Sequence, residues 1–483
     1  MPIDVEKLVE TLIALPQETE WLEFKQNRFE PDEFGEYISA LSNSAILAER
    51  RCAYLIFGVE DGTHAVVGST VDIHRERIGN EPFINWIPRF LEPRVTFRIE
   101  VGHCRGQRVV VVEIDPAFQQ PVRFRRTAYI RNGPHKRPLS DFPEKERELW
   151  RATDRRTIEG TAAVRNVAPA EVLGTIDADS LFALLGEPRP VTDIAVLDRI
   201  GRHQLIVSDL QGGYDITTLG ILAFGRDLTA LAPLSRKTLR IVRYRGIDKL
   251  ETIDETTQAT GYAAGFQDAL RALLAAVPSR EVIVSGVRRR IPVIPELALR
   301  EGLANALVHQ DFTVAGAGPL IEVYTDRVEF TNPGRPLVET DRLLNDPPRS
   351  RNEALASLMR RLGICEERGS GIDKIVASIE HDTLPPPLFR ATDDATIITL
   401  FAERPFVRMN QEERVRACYL HACLRYASND PMSNSSLRER LGLAEGQHPQ
   451  ASAVIRAAIE AERIKPLSEE QGRRNARYIP FWA

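Results

Sequence analysis

The chain has little of what would place it outside the cell or in a membrane. Its 483 residues include five cysteines, Cys52, Cys104, Cys365, Cys418 and Cys423. Their number is odd, they are scattered, and none forms a C-x-x-C pair, so reduced thiols in a cytoplasm are expected and a cysteine zinc site is not. No apolar run approaches the roughly 20 residues that span a bilayer. The start, MPIDVEKLVE, has no basic segment followed by an apolar run and does not read as a signal peptide. Positive charge is not in excess either. The 63 Lys and Arg face 68 Asp and Glu, for a formal net charge of -5. Contact with nucleic acid must therefore come from local patches. No short-period repeat or low-complexity segment interrupts the chain.

What is present is an ordinary globular composition, 43% hydrophobic and 27% charged. The length predicts about three domains. Element patterns predict a multidomain α/β (α+β) protein, with a mixed-sheet domain over 1–155, a helical linker region over 156–229, a second α/β domain over 230–402 and a C-terminal domain over 403–483.

The most informative stretch is 300–312, which reads as a helix. Leu299, Leu303 and Leu307 share one face, and Glu301, Asn305 and His309 form a second stripe. Side chains four apart on a helix face the same space. A carboxylate that orients water and an amide oxygen that ligates a hard cation suit a metal-nucleotide site. A solvated polar face carries the same pattern. Downstream, 319–324 and 327–330 read as a strand hairpin that delivers Asn332-Pro333-Gly334. A long polar loop covers 335–351. Gly369-Ser370-Gly371 opens a further helix, where backbone N–H groups can approach a phosphate and the helix dipole favours the anion.

This arrangement resembles the GHKL ATPase fold of gyrase, histidine kinases and MutL, in the divergent, RecG-like form found beside AlbA domains. The resemblance implies an α/β sandwich that binds ATP and Mg²⁺. It places the base-like glutamate at Glu301 and the metal-binding asparagine at Asn305, with His309 where a further polar residue is usual. Asn332 and Gly334 stand near the family's adenine-reading motif but lack its Asp, which leaves the base open. Gly369 and Gly371 would serve the phosphates.

In the first domain, 18–25 alternates polar and apolar residues as a strand does. The series Glu18, Glu23-Phe24-Lys25, Ser42-Asn43-Ser44, 54–62 and 128–133 resembles the Schlafen-type AlbA domain, a nucleic-acid-binding module. Some Schlafen relatives are metal-dependent ribonucleases, and Glu18, Glu23 and Asp61 stand at matching places. Clustered carboxylates can hold divalent ions that polarise a phosphodiester. An outward strand residue at Glu23 and an ordinary Asp61-Gly62 turn are the plain alternative. Phosphate contacts are expected from Lys25, Arg123, Arg125, Arg126, Arg131 and Lys136, with Phe124 and Tyr129 interleaved for stacking.

The C-terminal 403–483 reads as three helices and a basic two-strand wing, a winged helix-turn-helix pattern. Arg456 on the third helix and Arg473 and Arg474 at the wing tip are its nucleic-acid candidates. Together these readings predict an ATP-binding regulatory protein, a transcriptional regulator whose grip on DNA or RNA is controlled by nucleotide, acting as a homo-oligomer. The alternative is a metal-dependent nuclease at Glu18, Glu23 and Asp61, gated by nucleotide in phage defence.

Overall fold

The computed structural model describes residues 4–483 apart from 233, 285–286, 348, 367–369 and 469–475. The chain divides into two compact units. One comprises Met1–Val172 and Gln204–Thr218, the other Leu173–His203 and Leu219–Ala483. Both are mixed α/β.

In the first unit, Leu22–Lys25 pairs in parallel with Ala53–Phe57, which pairs antiparallel with Gln107–Ile114 and then Phe97–Cys104. The alternation read at 18–25 does not expose one face: Leu22, Glu23 and Phe24 are all buried. A parallel strand covered on both faces has no solvent side. The helix Pro31–Leu47 starts on a proline followed by Asp32 and Glu33, residues suited to a helix N-terminus. It packs on a second sheet through Gly35, where a Cβ would stand 2.2 Å from the Phe124 ring.

The second unit is built on a six-stranded sheet. Its order is Thr252–Gln258, Leu239–Tyr244, Leu320–Val323, Arg327–Pro333, Ala395–Phe401 and Leu388–Ala391. Leu239–Tyr244 and Leu320–Val323 are parallel and the other pairs antiparallel. The helices Glu296–Val308 and Gly371–His381 pack together, the first also on the sheet. Gly302 sets the depth of that packing, because a Cβ there would lie 2.8 Å from the Phe330 ring. The helix begins four residues before the expected start and ends at Val308, with His309 as its C-cap. Ser279–Val284 pairs antiparallel with Val287–Pro292.

Residues 411–480 form three helices, Gln411–Ala427, Asn434–Arg440 and His448–Glu460. A small sheet joins them, in the order Met432–Ser433, Arg477–Pro480 and Ile464–Pro466. Ser433 caps the second helix, accepting from the Ser436 backbone N–H at 3.1 Å. Arg473 and Arg474 lie outside the described residues. Among the described residues, no helix is long and apolar enough to cross a membrane.

Candidate functional site

The polar stripe on Glu296–Val308 is not a solvated face. Glu301 is 2% exposed, and Asn305 and His309 are half-buried. All three line a cavity of about 520 Å³, together with Asn332, Thr396, Gly371 and much of the loop 336–351. Asn332 and Thr396 face each other in register on adjacent strands. One helix, two strands, a helix N-terminus and a long loop thus surround one space.

The buried carboxylate of Glu301 is held by its neighbour. The Arg300 guanidinium pairs with it and donates to the backbone oxygens of Gly363 at 2.9 Å and Ile364 at 3.0 Å. Burial raises the Glu301 pKa and Arg300 opposes that rise, while Glu366 adds to it. A carboxyl biased this way suits proton handling. His309 is pushed down to about 4 by burial, with Arg351 and Arg360 adding to the effect. It is a neutral imidazole at neutral pH. Burial pushes the Cys365 thiol up to about 12, so this cavity cysteine is no nucleophile near neutrality.

Asn305 is the least satisfied group in the cavity. Its Nδ2 is buried and has no hydrogen-bond partner among the described residues. A buried amide donor left unmade costs about 1–3 kcal/mol, which a ligand can recover. Directly opposite, a Cβ on Gly371 would stand 3.0 Å from Glu301 Oε2 and 3.7 Å from Asn305 Nδ2. Glycine at 371 keeps that space open at the start of a helix, whose N–H groups favour an anion. The carboxylate, the amide and the glycine read from the sequence therefore meet at one point.

Of the other expected residues, one lines the cavity, one does not, and one lies outside the described residues. Asn332 lines the cavity, and its Nδ2 donates to the His309 backbone oxygen at 3.1 Å. Gly334 does not line it. It has φ +99°, its N–H donates to the Asp394 oxygen at 2.7 Å, and a Cβ there would lie 2.5 Å from Asp311. It shapes a turn. Gly369 lies outside the described residues. Three cations also line the cavity, Arg349, Arg351 and Arg360. The sequence marks Arg351, beside Asn352, as a charge for the lid region, but Arg349 and Arg360 come from a loop and a separate helix, and no local pattern marks them.

In the first unit, Glu18 and Glu23 converge, but on an arginine. Arg131 is fully buried, pairs with Glu23 and reaches Glu18 Oε2 at 3.0 Å. Lys25 pairs with Glu23 at 2.6 Å. Glu18 also accepts the Phe24 backbone N–H at 2.7 Å. Two carboxylates and two cations make a neutral cluster, the usual condition for burying a guanidinium. Asp61 is an exposed turn residue, and no set of three or more potential ligands assembles among the described residues. The expected metal site at Glu18, Glu23 and Asp61 is not formed in this arrangement, since its two glutamates neutralise Arg131 and Lys25.

The same burial corrects the nucleic-acid list. Arg131 is internal and not a phosphate contact, and Phe124 is 2% exposed against Gly35 and not a stacking surface. Arg123, Arg125 and Arg126 are exposed, with Arg125 held by Asp32 at 2.7 Å. Lys136 lies over the Tyr37 ring, 4.3 Å from its centroid. Arg456 is exposed on His448–Glu460.

Residues 18–140 match the family model "Schlafen, AlbA_2". Residues 316–400 match a second, described as "Putative ATP-dependent DNA helicase recG C-terminal". The chain carries both domains. No curated protein matches it. Among solved structures it is similar to the DIP2311 protein from Corynebacterium diphtheriae, at 18% identity over 95% of this chain and 93% of that one, with a TM-score of 0.42.

Proposed function

We propose that this chain is an ATP-binding, nucleic-acid-binding regulatory protein whose second unit holds nucleotide and Mg²⁺ in a GHKL-like site. The observation that carries this reading is the meeting of the Asn305 amide, whose Nδ2 has no partner among the described residues, the buried Glu301 carboxylate and the Cβ-free Gly371 at one helix N-terminus. Both matched domains support it, one by its AlbA description and the other by its ATP-dependent one.

The residues present fit the group. Asn305 would hold the cation through its Oδ1, directly or through a water, which leaves its unpartnered Nδ2 to donate to a phosphate oxygen. The Gly371 helix start, with Arg349, Arg351 and Arg360 around the cavity, would receive the phosphates. Bound Mg²⁺ supplies charge neutralisation for the phosphate oxygens. Glu301 is placed to orient a water and take its proton, and Arg300 keeps its carboxylate in position. Neutral His309 adds a hydrogen-bonding wall without another charge. The three terminal helices and their small sheet act as a winged helix, presenting Arg456 and its neighbours to nucleic acid. Arg123 and Arg126 do the same for the AlbA-type domain.

Calorimetric titration with Mg²⁺ and ATP tests the reading. Saturable binding by wild-type protein is expected, reduced at least about tenfold in Asn305→Ala, the cost of roughly one charge-assisted contact. Absence of binding by wild-type protein, or unchanged binding by Asn305→Ala, overturns it.

A further inference from the structure

Two walls of the cavity are also parts of another core. Leu343 lines the cavity, while its neighbour Leu344 is buried with Cys418 and Leu437 of the C-terminal helices and Met432 of the small sheet. On Gly371–His381, Gly371 and Ile372 line the cavity, and Val376 lies in that same C-terminal core. Ile372 touches both. Adjacent residues thus face the candidate ligand on one side and the C-terminal helices on the other.

Polar contacts fix the same two walls. Tyr419 donates its hydroxyl to the Asp341 backbone oxygen, and Arg463 pairs with the Asp341 carboxylate. The Arg342 guanidinium lies 4.4 Å from the Trp482 ring centroid, and Trp482 Nε1 donates to Tyr419 Oη at 3.2 Å. At the far end of Gly371–His381, Glu380 meets His421 Nδ1 at 2.9 Å and Arg440 Nε at 3.3 Å. Arg440 is 6% exposed and also donates to the Leu384 oxygen at 2.9 Å. The C-terminal helices therefore grip the loop over the cavity by its 341–344 stretch. They also hold the helix whose N-terminus faces Glu301 and Asn305.

We propose that the C-terminal module senses the occupancy of the cavity through these two grips, Asp341–Leu344 and Glu380, and so couples nucleotide to nucleic acid. This rests on the nucleotide reading of the cavity. Close-packed interfaces change by discrete repacking more readily than by gradual deformation, so a shift of Leu343 or Gly371 toward a ligand must be met by Leu344, Val376 and Glu380. The coupling is reciprocal: a nucleic acid that prefers one packing of the module must alter nucleotide affinity by the same factor.

Hydrogen exchange on the full chain, with and without Mg²⁺ and a non-hydrolysable ATP analogue, tests the proposal. In wild-type protein, analogue binding is expected to change exchange about fivefold or more in Gln411–Ala427 and His448–Glu460, the low end of ordinary allosteric coupling. The double variant Arg342→Ala, Arg463→Ala touches neither Glu301 nor Asn305. It is expected to bind analogue within about threefold of wild type while the change in those helices shrinks, since surface contacts of this kind are individually modest. Analogue binding to wild-type protein with no change in the C-terminal helices overturns the coupling and leaves the nucleotide reading standing. A full response in the double variant overturns the route through Asp341–Leu344. Failure of wild-type protein to bind analogue overturns the nucleotide reading, and the coupling falls with it.

Discussion

Gly371 and Glu301 come from helices 70 positions apart in the chain, yet a Cβ on the first would stand 3.0 Å from Oε2 of the second. That gap is tighter than a side chain tolerates without displacement of the carboxylate. Gly371→Val is therefore expected to fill the space and reduce nucleotide affinity at least tenfold. Gly371 has no positive φ in this structure, so the fold should be kept. Titration with ATP and far-ultraviolet circular dichroism measure the two effects. Full affinity in Gly371→Val would show that the phosphate path runs elsewhere.

Asn305 offers the complementary experiment. Because its Nδ2 has no protein partner among the described residues, Asn305→Ala should cost the ligand-free protein less than about 1 kcal/mol, or even stabilise it. Urea unfolding without nucleotide checks this. A loss of several kcal/mol would mean that the amide is structural.

Arg131 predicts the opposite. Arg131→Met leaves Glu18 and Glu23 buried beside one lysine, and breaking such a cluster costs about 3–5 kcal/mol. The triple variant Glu18→Gln, Glu23→Gln, Arg131→Met removes charge from both sides and should recover much of that loss. Chemical denaturation of the single and triple variants provides the comparison. If Arg131→Met unfolds at the wild-type midpoint, the cluster does not stabilise the first unit.

His309 gives a pH dependence. Its folded pKa is lowered from 6.5 to about 4. Between those values the unfolded chain takes up a proton and the native protein does not. The stabilising contribution is therefore complete above pH 6.5 and is lost as pH falls through 4, by about 3 kcal/mol at most. His309→Gln should flatten the unfolding midpoint over that window relative to wild type. An identical pH profile would place the dependence on other groups.

These contrasts show where sequence reading reaches. Helical spacing puts Glu301 and Asn305 on one stripe, but a solvated face carries the same pattern, and it was the resemblance to the GHKL fold that singled out these two residues and Gly371. The burial of Glu301 and Asn305 was not legible, since the groups around them, Gly371 and the loop 336–351, come from parts of the chain far away in sequence. Arg349 and Arg360 reach the cavity only through the path of the loop and the packing of the helix after it. Arg131 read as a surface cation because its partners, Glu18 and Glu23, lie more than a hundred residues away. Phe124 read as a stacking ring because only the folded chain shows Gly35 pressed against it. Mixed α/β architecture was visible from local periodicity, which needs only neighbours along the chain.

The contact between Gly302 and Phe330 has one more consequence. Helix and sheet approach until the ring would meet the Cβ that Gly302 lacks, at 2.8 Å. Glu301 and Asn305, one position before and three after, inherit their height above the sheet from that missing atom. A methyl group at 302 would lift the helix like a shim under a lens. The focus of the site would move by some tenths of an ångström while every residue that lines it stayed the same.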